Sequence, residues 1–465
     1  MSILPFPVRG AVALAALAVL GGCASFSPDG GFGEVAQLTQ ARTGQAPRWQ
    51  RTPADEAAAQ TRVTELLQQP LSAEAAVELA LLHNRGLQAR FAELGMAEAE
   101  RVQAGRLANP TLRYGRMSGG GVTEIDGAVL FNLLGLLTLP LASELGQQHF
   151  EQAKLQAASD AVAVATQARR AFFTAVAAQA LVTYAQQVKS AAEASRELAT
   201  RMQQAGNFNK LAQMRQQAFD ADATAQLLRA QHRAVVEREQ LVRALGLSGD
   251  ELGKLQLPER LPDLPDLPGQ PAALAQAEQA AMDRRLDVLQ ARRSAEATAR
   301  QFGLTQRTGF VNLLDPNLAL ARHSQTGEAT RRGFELELTL PLFDFGAGGS
   351  PAAVQAEAQY RQALHHAAEV AVNARSEVRE SSSAYLTAHA LARHYRDEVL
   401  PLQQRIADEN QLRYNGMLLS VFELLADARE QITSVTGYTE ALRDFWLADA
   451  DLQQALAGPL PQPGQ

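Results

Sequence analysis

The stretch "GFELELTLPLF", residues 333–343, decides the fold of this chain. Apolar side chains alternate with polar ones along it, which is the period of two that a β-strand with one buried face requires. Those apolar residues are Phe334, Leu336, Leu338 and Leu340. A second run of strand length, "NLALARH" at 317–323, precedes it across a polar turn. The pattern therefore predicts a β-hairpin within residues 310–343.

The pentapeptide "LTLPL" in this stretch, at 338–342, also occurs at 137–141. Two further markers recur at nearly the same offset of about 200 residues: "LQAR" at 87–90 and 289–292, and "NPTL" at 109–112, echoed by "DPNL" at 315–318. Similar segments at a fixed offset are the signature of a structural repeat. We therefore predict an internal duplication, with one hairpin in each half.

The first hairpin is predicted at residues 110–141, around the turn-forming cluster Ser118 to Gly121. The apolar stretch "AVLFNLLGLLTLPL", residues 128–141, leaves an alternative open, because it could also be a helix. At about 14 residues this stretch is short for a transmembrane helix. We therefore interpret it as a strand.

Long runs with few helix-breaking residues follow each copy of "LTLPL". We predict a helical hairpin in each run, with tips near Gly206 and near Gly416, and a kink at Pro401. Apolar and small residues seven apart, such as Val378, Tyr385 and Ala392, indicate coiled-coil packing. Another helix should begin at Ser72, a good N-cap, and continue to Asn109-Pro110. The predicted fold class is mostly α, with long coiled-coil hairpins and four β-strands per chain.

The predicted organisation of the chain has six parts. They are a signal peptide at 1–22, an extended N-terminal segment at 23–70, a first repeat at 71–256, a proline-rich linker at 257–271, a second repeat at 272–458 and a C-terminal tail at 459–465. The linker is assigned from "LPERLPDLPDLPGQP", whose prolines favour an extended spacer.

The N-terminus carries Arg9, an apolar run over 11–20 and then Leu20-Gly-Gly-Cys23. The run is too short to span a bilayer and has the length of a signal-peptide core. The motif resembles a bacterial lipoprotein signal, which implies that the mature chain starts at Cys23 and carries acyl chains there. An ordinary secretory signal with an incidental cysteine is the alternative. Cys23 is the only cysteine in the chain, so no disulfide can form within it.

Composition and motifs exclude several function classes. The net charge of −7 argues against nucleic acid as a partner. The histidines lack the spacing of a metal site, "GAGGS" at 346–350 lacks the lysine of a phosphate loop, and the chain has no Gly-x-Ser-x-Gly elbow. We therefore expect neither an enzyme nor a bound cofactor or metal.

Four strands cannot close a barrel, and open strand edges are not tolerated in lipid. Several motifs together carry a resemblance to a known family. Its motifs are Leu20 to Cys23, the "NP.L" start of the first hairpin, "LTLPLFDFGAGG" with the helix after it, and the stretches 399–416 and 420–458. The chain resembles the TolC-like outer-membrane efflux proteins, in the lipoprotein branch that serves tripartite pumps. The resemblance covers essentially the whole mature chain.

This resemblance implies a homotrimer in the bacterial outer membrane, in which three chains share one 12-stranded barrel that a helical tunnel continues into the periplasm. It implies two protein partners, a periplasmic adaptor and an inner-membrane pump of the RND type. The conducted solutes would be metal cations or toxic organic compounds. The alternative is a lipid-anchored coiled-coil scaffold or adhesin without a pore, which leaves the alternating strands unexplained.

The resemblance also implies a periplasmic gate lined by acidic residues after the second tip. The position that matches is Glu423. The family's next acidic position falls on Ala426, and the nearby acid is Asp427, one residue later. One residue turns a side chain by about 100° on a helix, which puts a second acidic ring in doubt. The alternative is a solvated helix face with Arg429 as an ionic partner.

Overall fold

The computed structural model describes residues 25–266, 274–314, 317–337 and 351–458. Several predictions fall outside these residues: the signal peptide with Cys23, the second "LTLPL" copy with "GAGGS", the last part of the proline-rich linker and the C-terminal tail.

The described chain is mostly helical, as predicted. In chain order the helices are α1 Phe32–Thr43, α2 Pro53–Leu66, α3 Ala73–His83, α4 Arg85–Ala104, α5 Leu133–Gln204, α6 Lys210–Leu245, α7 Leu274–Arg284, α8 Leu286–Leu314, α9 Pro351–His394, α10 Leu400–Asn415 and α11 Val421–Ala455. Not one of these helices, over the described residues, combines the length and apolarity that a membrane span requires.

Four strands form one antiparallel sheet in the order β1-β2-β3-β4. They are β1 Thr111–Gly119, β2 Val122–Asn132, β3 Asn317–Gln325 and β4 Arg331–Glu337. Gly120 and Gly121 make the first turn with φ of 60° and 82°, a conformation that other residues rarely adopt. The second hairpin pairs the two segments that the sequence indicated.

The first hairpin is shorter than the predicted 110–141, because β2 ends at Asn132 and α5 begins at Leu133. The Asn132 side chain accepts a hydrogen bond from the backbone N–H of Gly135, which is the bond that starts a helix. The first "LTLPL" copy is therefore helical, with Pro140 inside the helix. In the apolar stretch 128–141, residues 128–132 are part of strand β2, as we interpreted them. Residues 133–141 are helical, as in the alternative.

The prediction of an extended N-terminal segment at 23–70 is wrong. The described part of this segment contains the helices α1 and α2. Thr52 and Asp55 form a capping box that starts α2. Val35 in α1 and Val63 in α2 are fully buried. Helices this short are marginal in isolation, so packing stabilises them more than local sequence does.

The predicted helix from Ser72 is interrupted at Asn84. Ser72 is the N-cap, as expected, and its side chain accepts from the N–H of Ala75. The Asn84 side chain accepts from the N–H of Leu87 at 3.0 Å and donates to the carbonyl of Ala244 at 2.9 Å. These two bonds hold the interruption against α6.

Pro401 does not end its helix. The turn before it, Tyr395–Val399, is π-helical and leads directly into α10. A wider turn accommodates the missing N–H of proline without a full break. Gly437 of α11 lies so close to Tyr395 that a β-carbon there would come within 2.9 Å of its ring.

The chain forms two compact units. The first contains the sheet, with residues up to Val35, Ala92–Ala157 and Asp287–Ala371. The second contains Ala36–Phe91, Ala158–Leu286 and the residues from Val372 onward. Its core includes five aromatic residues that contact one another, at ring separations of 5.1 to 5.3 Å: Phe172, Phe173, Tyr385, Phe445 and Trp446.

The described part of the proline-rich linker is fixed to helices of the second unit. Leu261 and Leu264 are buried, and three side chains donate to carbonyls in the segment. These donors are Trp446 Nε1 to Pro262 at 3.1 Å, Arg396 Nη1 to Leu264 at 3.3 Å and His389 Nε2 to Pro265 at 2.9 Å. The segment is therefore a packed strap and not a free spacer.

Candidate functional site

The sheet has two chemically different faces, because successive side chains of each strand point to opposite sides. The strand register assigns every residue to a face. One face, here called the apolar face, carries Leu112, Tyr114, Arg116, Ile125, Val129, Phe131, Leu318, Leu320, Arg322, Arg332, Phe334 and Leu336. The other, the polar face, carries Arg113, Glu124, Asp126, His323, Arg331, Glu335 and Glu337, together with the apolar residues Met117, Val122 and Leu130.

Large apolar side chains are exposed on the apolar face of the single chain. Leu112 is 76% exposed and Phe334 is 74% exposed, and Leu320 and Leu336 are each more than half exposed. A contiguous patch of this kind marks a surface that another apolar phase covers. It contrasts with the polar face.

On the polar face, a polar contact joins two neighbouring strands. Asp126 of β2 and His323 of β3 are register partners, and the imidazole Nδ1 pairs with the carboxylate. At the second turn, Arg331 and Glu328 form an ion pair at 3.0 Å. This face suits contact with water.

The two helical hairpins end in capped tips. At the first, Gly206 takes a left-handed φ of 77° after α5, and Asn209 caps α6 by accepting from the N–H of Ala212 at 2.7 Å. At the second, Gly416 ends α10 with φ of −81°, and the left-handed residue is Met417 with φ of 60°. Ser420 then caps α11.

The two tips contact each other through aromatic rings. Phe208 of the first tip stacks on Phe422 at the start of α11, with 4.7 Å between ring centroids and 24° between planes. About two turns further along α11, the guanidinium of Arg429 lies over the ring of Phe219 in α6, 4.9 Å from its centroid. No local sequence pattern predicts these pairs, since each joins residues that lie far apart in the chain.

Glu423, the predicted gate residue, completes a capping box at the start of α11. Its carboxylate accepts from the N–H of Ser420 at 2.9 Å, and its own N–H donates to the Ser420 hydroxyl at 3.2 Å. The Ser420 backbone N–H, and after it the Ser420 side chain, hydrogen-bond to the Glu423 carboxylate and lower its pKa. In the single chain, Glu423 therefore has a local structural role and remains charged at neutral pH.

Asp427, the second predicted gate residue, accepts a hydrogen bond from the side-chain amide of Asn410 in α10. In the alternative to a gate, Arg429 would be an ionic partner on a solvated helix face. The guanidinium of Arg429 instead lies over the ring of Phe219. The ionic pairing in that alternative was therefore wrong. The structure brings Glu423 and Asp427 to the same end of α11, and their role as a gate stays a prediction.

The chain just after Cys23 is fastened to the first unit by contacts that we call the anchor clamp. The backbone N–H of Ser27 donates to the Glu98 carboxylate at 2.6 Å, and the Ser27 hydroxyl does so as well. Arg101 donates to the carbonyl of Ser25 at 2.8 Å. Glu98 is only 4% exposed, and its partners are not evident from the sequence.

The comparison with solved structures finds the same fold in outer-membrane proteins. VceC of Vibrio cholerae matches with a TM-score of 0.64 at 17% identity, over 84% of this chain and 97% of its own. The CmeC outer-membrane channel of Campylobacter jejuni matches with 0.63 at 13%, over 92% and 93%. The open-state MtrE channel of Neisseria gonorrhoeae matches with 0.64 at 17%, over 84% and 90%.

Neither the family models nor the curated proteins contain a match to this sequence. At the identities given above, the structural likeness establishes the fold alone. The sequence resemblance is thereby confirmed at that level, and the chain has the fold of the TolC-like outer-membrane channel proteins.

Proposed function

We propose that this protein is the outer-membrane channel of a tripartite efflux pump and conducts small solutes from the periplasm to the outside. The observation that carries the proposal is the sheet, whose exposed apolar face and polar face match the lipid and water sides of a barrel wall. Similarity to solved outer-membrane channels supports it.

A complete wall requires more than one chain. The sheet has β1 and β4 at its edges, and strand edges left open in lipid leave backbone groups without partners. Three copies of four strands give 12, enough to enclose an aqueous lumen. The homotrimer would join β4 of one chain to β1 of the next.

The internal duplication forms part of this proposal. A short helix, a second helix, two strands and a long helical hairpin occur in that order twice, from α3 to α6 and from α7 to α11. Each repeat thus contributes one hairpin to the wall. The function is conduction, without a chemical step, for metal cations or toxic organic compounds.

The hairpin tips are the proposed contact for a periplasmic adaptor, which links the channel to an inner-membrane pump of the RND type. Both tips expose apolar side chains where a helical protein ordinarily exposes polar ones. These are Leu211 and Met214 at the first tip, and Leu412, Met417 and Leu418 at the second.

We place the protein in the outer membrane, with acyl chains, palmitate among them, on Cys23. The anchor clamp supports this placement, because Ser25 lies two residues from Cys23 and is bound to the unit that contains the sheet. Lipid and sheet would then enter the same membrane.

Single-channel recording on the purified protein tests the proposal. We expect a trimer that resists detergent until heated and that conducts ions in planar bilayers. Gly127→Pro should abolish both, because proline removes a ladder hydrogen bond from the central strand β2. Gly127→Ala is the matched control, since nothing lies within 4 Å of its added β-carbon. A monomer without conductance would support the scaffold alternative.

A further inference from the structure

Three arginines interrupt the apolar face near the turn end of the sheet. They are Arg116 of β1, Arg322 of β3 and Arg332 of β4, here called the arginine cluster. All three are exposed. The same face carries no Asp or Glu among the described strand residues. Charged residues are costly on a surface that faces lipid, so their presence requires a reason.

Register brings these arginines close together. Arg322 and Arg332 are direct partners across β3 and β4. Tyr114 and Arg322 lie on either side of Gly127, which leaves the space between them free of a side chain. Arg116 is two residues from Tyr114, so it lies one position nearer the turns on the same face. With strands about 4.8 Å apart, the cluster spans on the order of 10 to 15 Å.

Two like charges directly opposite each other destabilise a sheet. Within the described part of the chain, the structure gives Arg116, Arg322 and Arg332 no carboxylate that would offset this repulsion. Neighbouring arginines on the other face differ, since Arg331 pairs with Glu328 at 3.0 Å. We therefore expect an external anion to neutralise the cluster.

The position of the cluster specifies which anion. Apolar rows with Leu112, Leu320 and Phe334 lie on its helix side, and the two turns lie on its other side. A ligand at this position needs hydrocarbon chains that pack against the apolar rows. It also needs negative charge beside the arginines. Guanidinium groups bind phosphate through paired hydrogen bonds, and their stems can lie along apolar surface.

We propose that the arginine cluster binds the phosphate groups of a phosphorylated lipid in the outer leaflet. This inference rests on the proposed function, in which the helices lie in the periplasm and the turn end faces outward. A trimer would carry three such sites around the barrel, and each would hold its own lipid.

Native mass spectrometry in a neutral maltoside detergent tests this proposal with diphosphorylated lipid A as the probe. We expect retention by the wild-type protein, and about a tenfold loss of retention in Arg322→Gln/Arg332→Gln, with a further loss when Arg116→Gln is added. Arg113→Gln and Arg331→Gln are matched controls, because they lie on the same strands but on the polar face. They should retain the lipid.

Two further measurements distinguish binding through the lipid phosphates from binding through the hydrocarbon chains or binding of free phosphate. Dephosphorylated lipid A should not be retained, and inorganic phosphate in large excess should compete only weakly. Equal retention by the wild-type and double variant, equal loss in the controls, or no binding to the wild-type protein would overturn the proposal. Conductance of the same samples reports on the proposed function separately, since the cluster variants should still form conducting trimers. If the double variant fails to assemble, Arg322→Gln alone gives the comparison.

Discussion

The rings of Phe208 and Phe422 stack 4.7 Å apart and join the tips of the two helical hairpins. An aromatic pair of this kind contributes about 0.5–1.5 kcal/mol beyond its buried area. If the tips separate when the proposed channel opens, Phe208→Ala should shift that equilibrium about 2- to 13-fold toward the open state. Open probability in planar bilayers measures the shift.

The matched control for this contact is Leu211→Ala. Leu211 is 61% exposed on the same tip, and its aliphatic side chain takes no part in aromatic stacking, so its loss should leave the open probability unchanged. An equal effect of both variants would show that any change at the tip, and not the stacking, alters the channel.

Charge and capping at Glu423 can be separated by two substitutions. Glu423→Gln keeps an acceptor for the Ser420 N–H and removes the charge, whereas Ser420→Ala removes the cap and keeps the charge. If Glu423 lines the gate, only Glu423→Gln should reduce cation selectivity. Reversal potentials in a salt gradient measure this. Unchanged selectivity in Glu423→Gln would leave capping as its sole role.

The cap itself should depend on pH. The Ser420 hydrogen bonds lower the pKa of the Glu423 carboxyl, so they favour its charged form. The stabilising contribution is therefore complete above the ordinary carboxyl pKa, and it is lost as pH falls through the lowered value. Amide exchange at Leu424 and its neighbours should accelerate in that range in the wild-type protein. In Glu423→Gln this acceleration should be absent, because the glutamine side chain does not titrate.

Asp449 should give the free energy of unfolding the opposite dependence on pH. Burial in the core of the second unit raises its pKa to about 6, against partial relief from Arg169 and Gln453. The folded state then holds a proton that the unfolded state releases near pH 4, so stability should fall as pH rises from about 4 to 6. Asp449→Asn should remove this slope and raise stability at pH 7 by at most about 3 kcal/mol. Thermal unfolding at several pH values checks this, and an unchanged slope would contradict it.

Disruption of the anchor clamp should loosen residues 25–35 locally without unfolding the protein. Glu98→Ala leaves the N–H and hydroxyl of Ser27 without their acceptor, at a cost of about 1.5–3 kcal/mol for bonds to a charged group. Proteolysis within residues 25–35 should become at least about 10-fold faster while conductance persists. Glu100→Ala, an exposed neighbour, is the control. Equal cleavage rates in the two variants would show that the clamp does not hold the segment.

The sequence predicted the parts of the fold that local patterns encode. Alternation at Phe334 and Leu336 located β4, and the heptad positions Val378, Tyr385 and Ala392 are buried in α9. Ser72 marked the start of α3. Each of these signals is read within one segment, because strand and helix periodicity depend on neighbours along the chain.

The candidate site was less predictable. Sequence reasoning located both tips and named Glu423 and Asp427, but it did not indicate that Glu423 closes a capping box or that Asp427 bonds to Asn410. The pattern Ser420-x-x-Glu423 was a usable signal for the capping box. The arginine cluster became visible only when register placed three strands side by side.

By itself, the sequence determined the four strands, the long helices and their turns, since side-chain periodicity and capping act over a few residues. Tertiary structure decided that α1 and α2 form and that the proline-rich segment is a packed strap. In both cases the stabilising partners lie far away in the chain. Burial against those partners, and not local preference, provides the free energy that selects the final conformation.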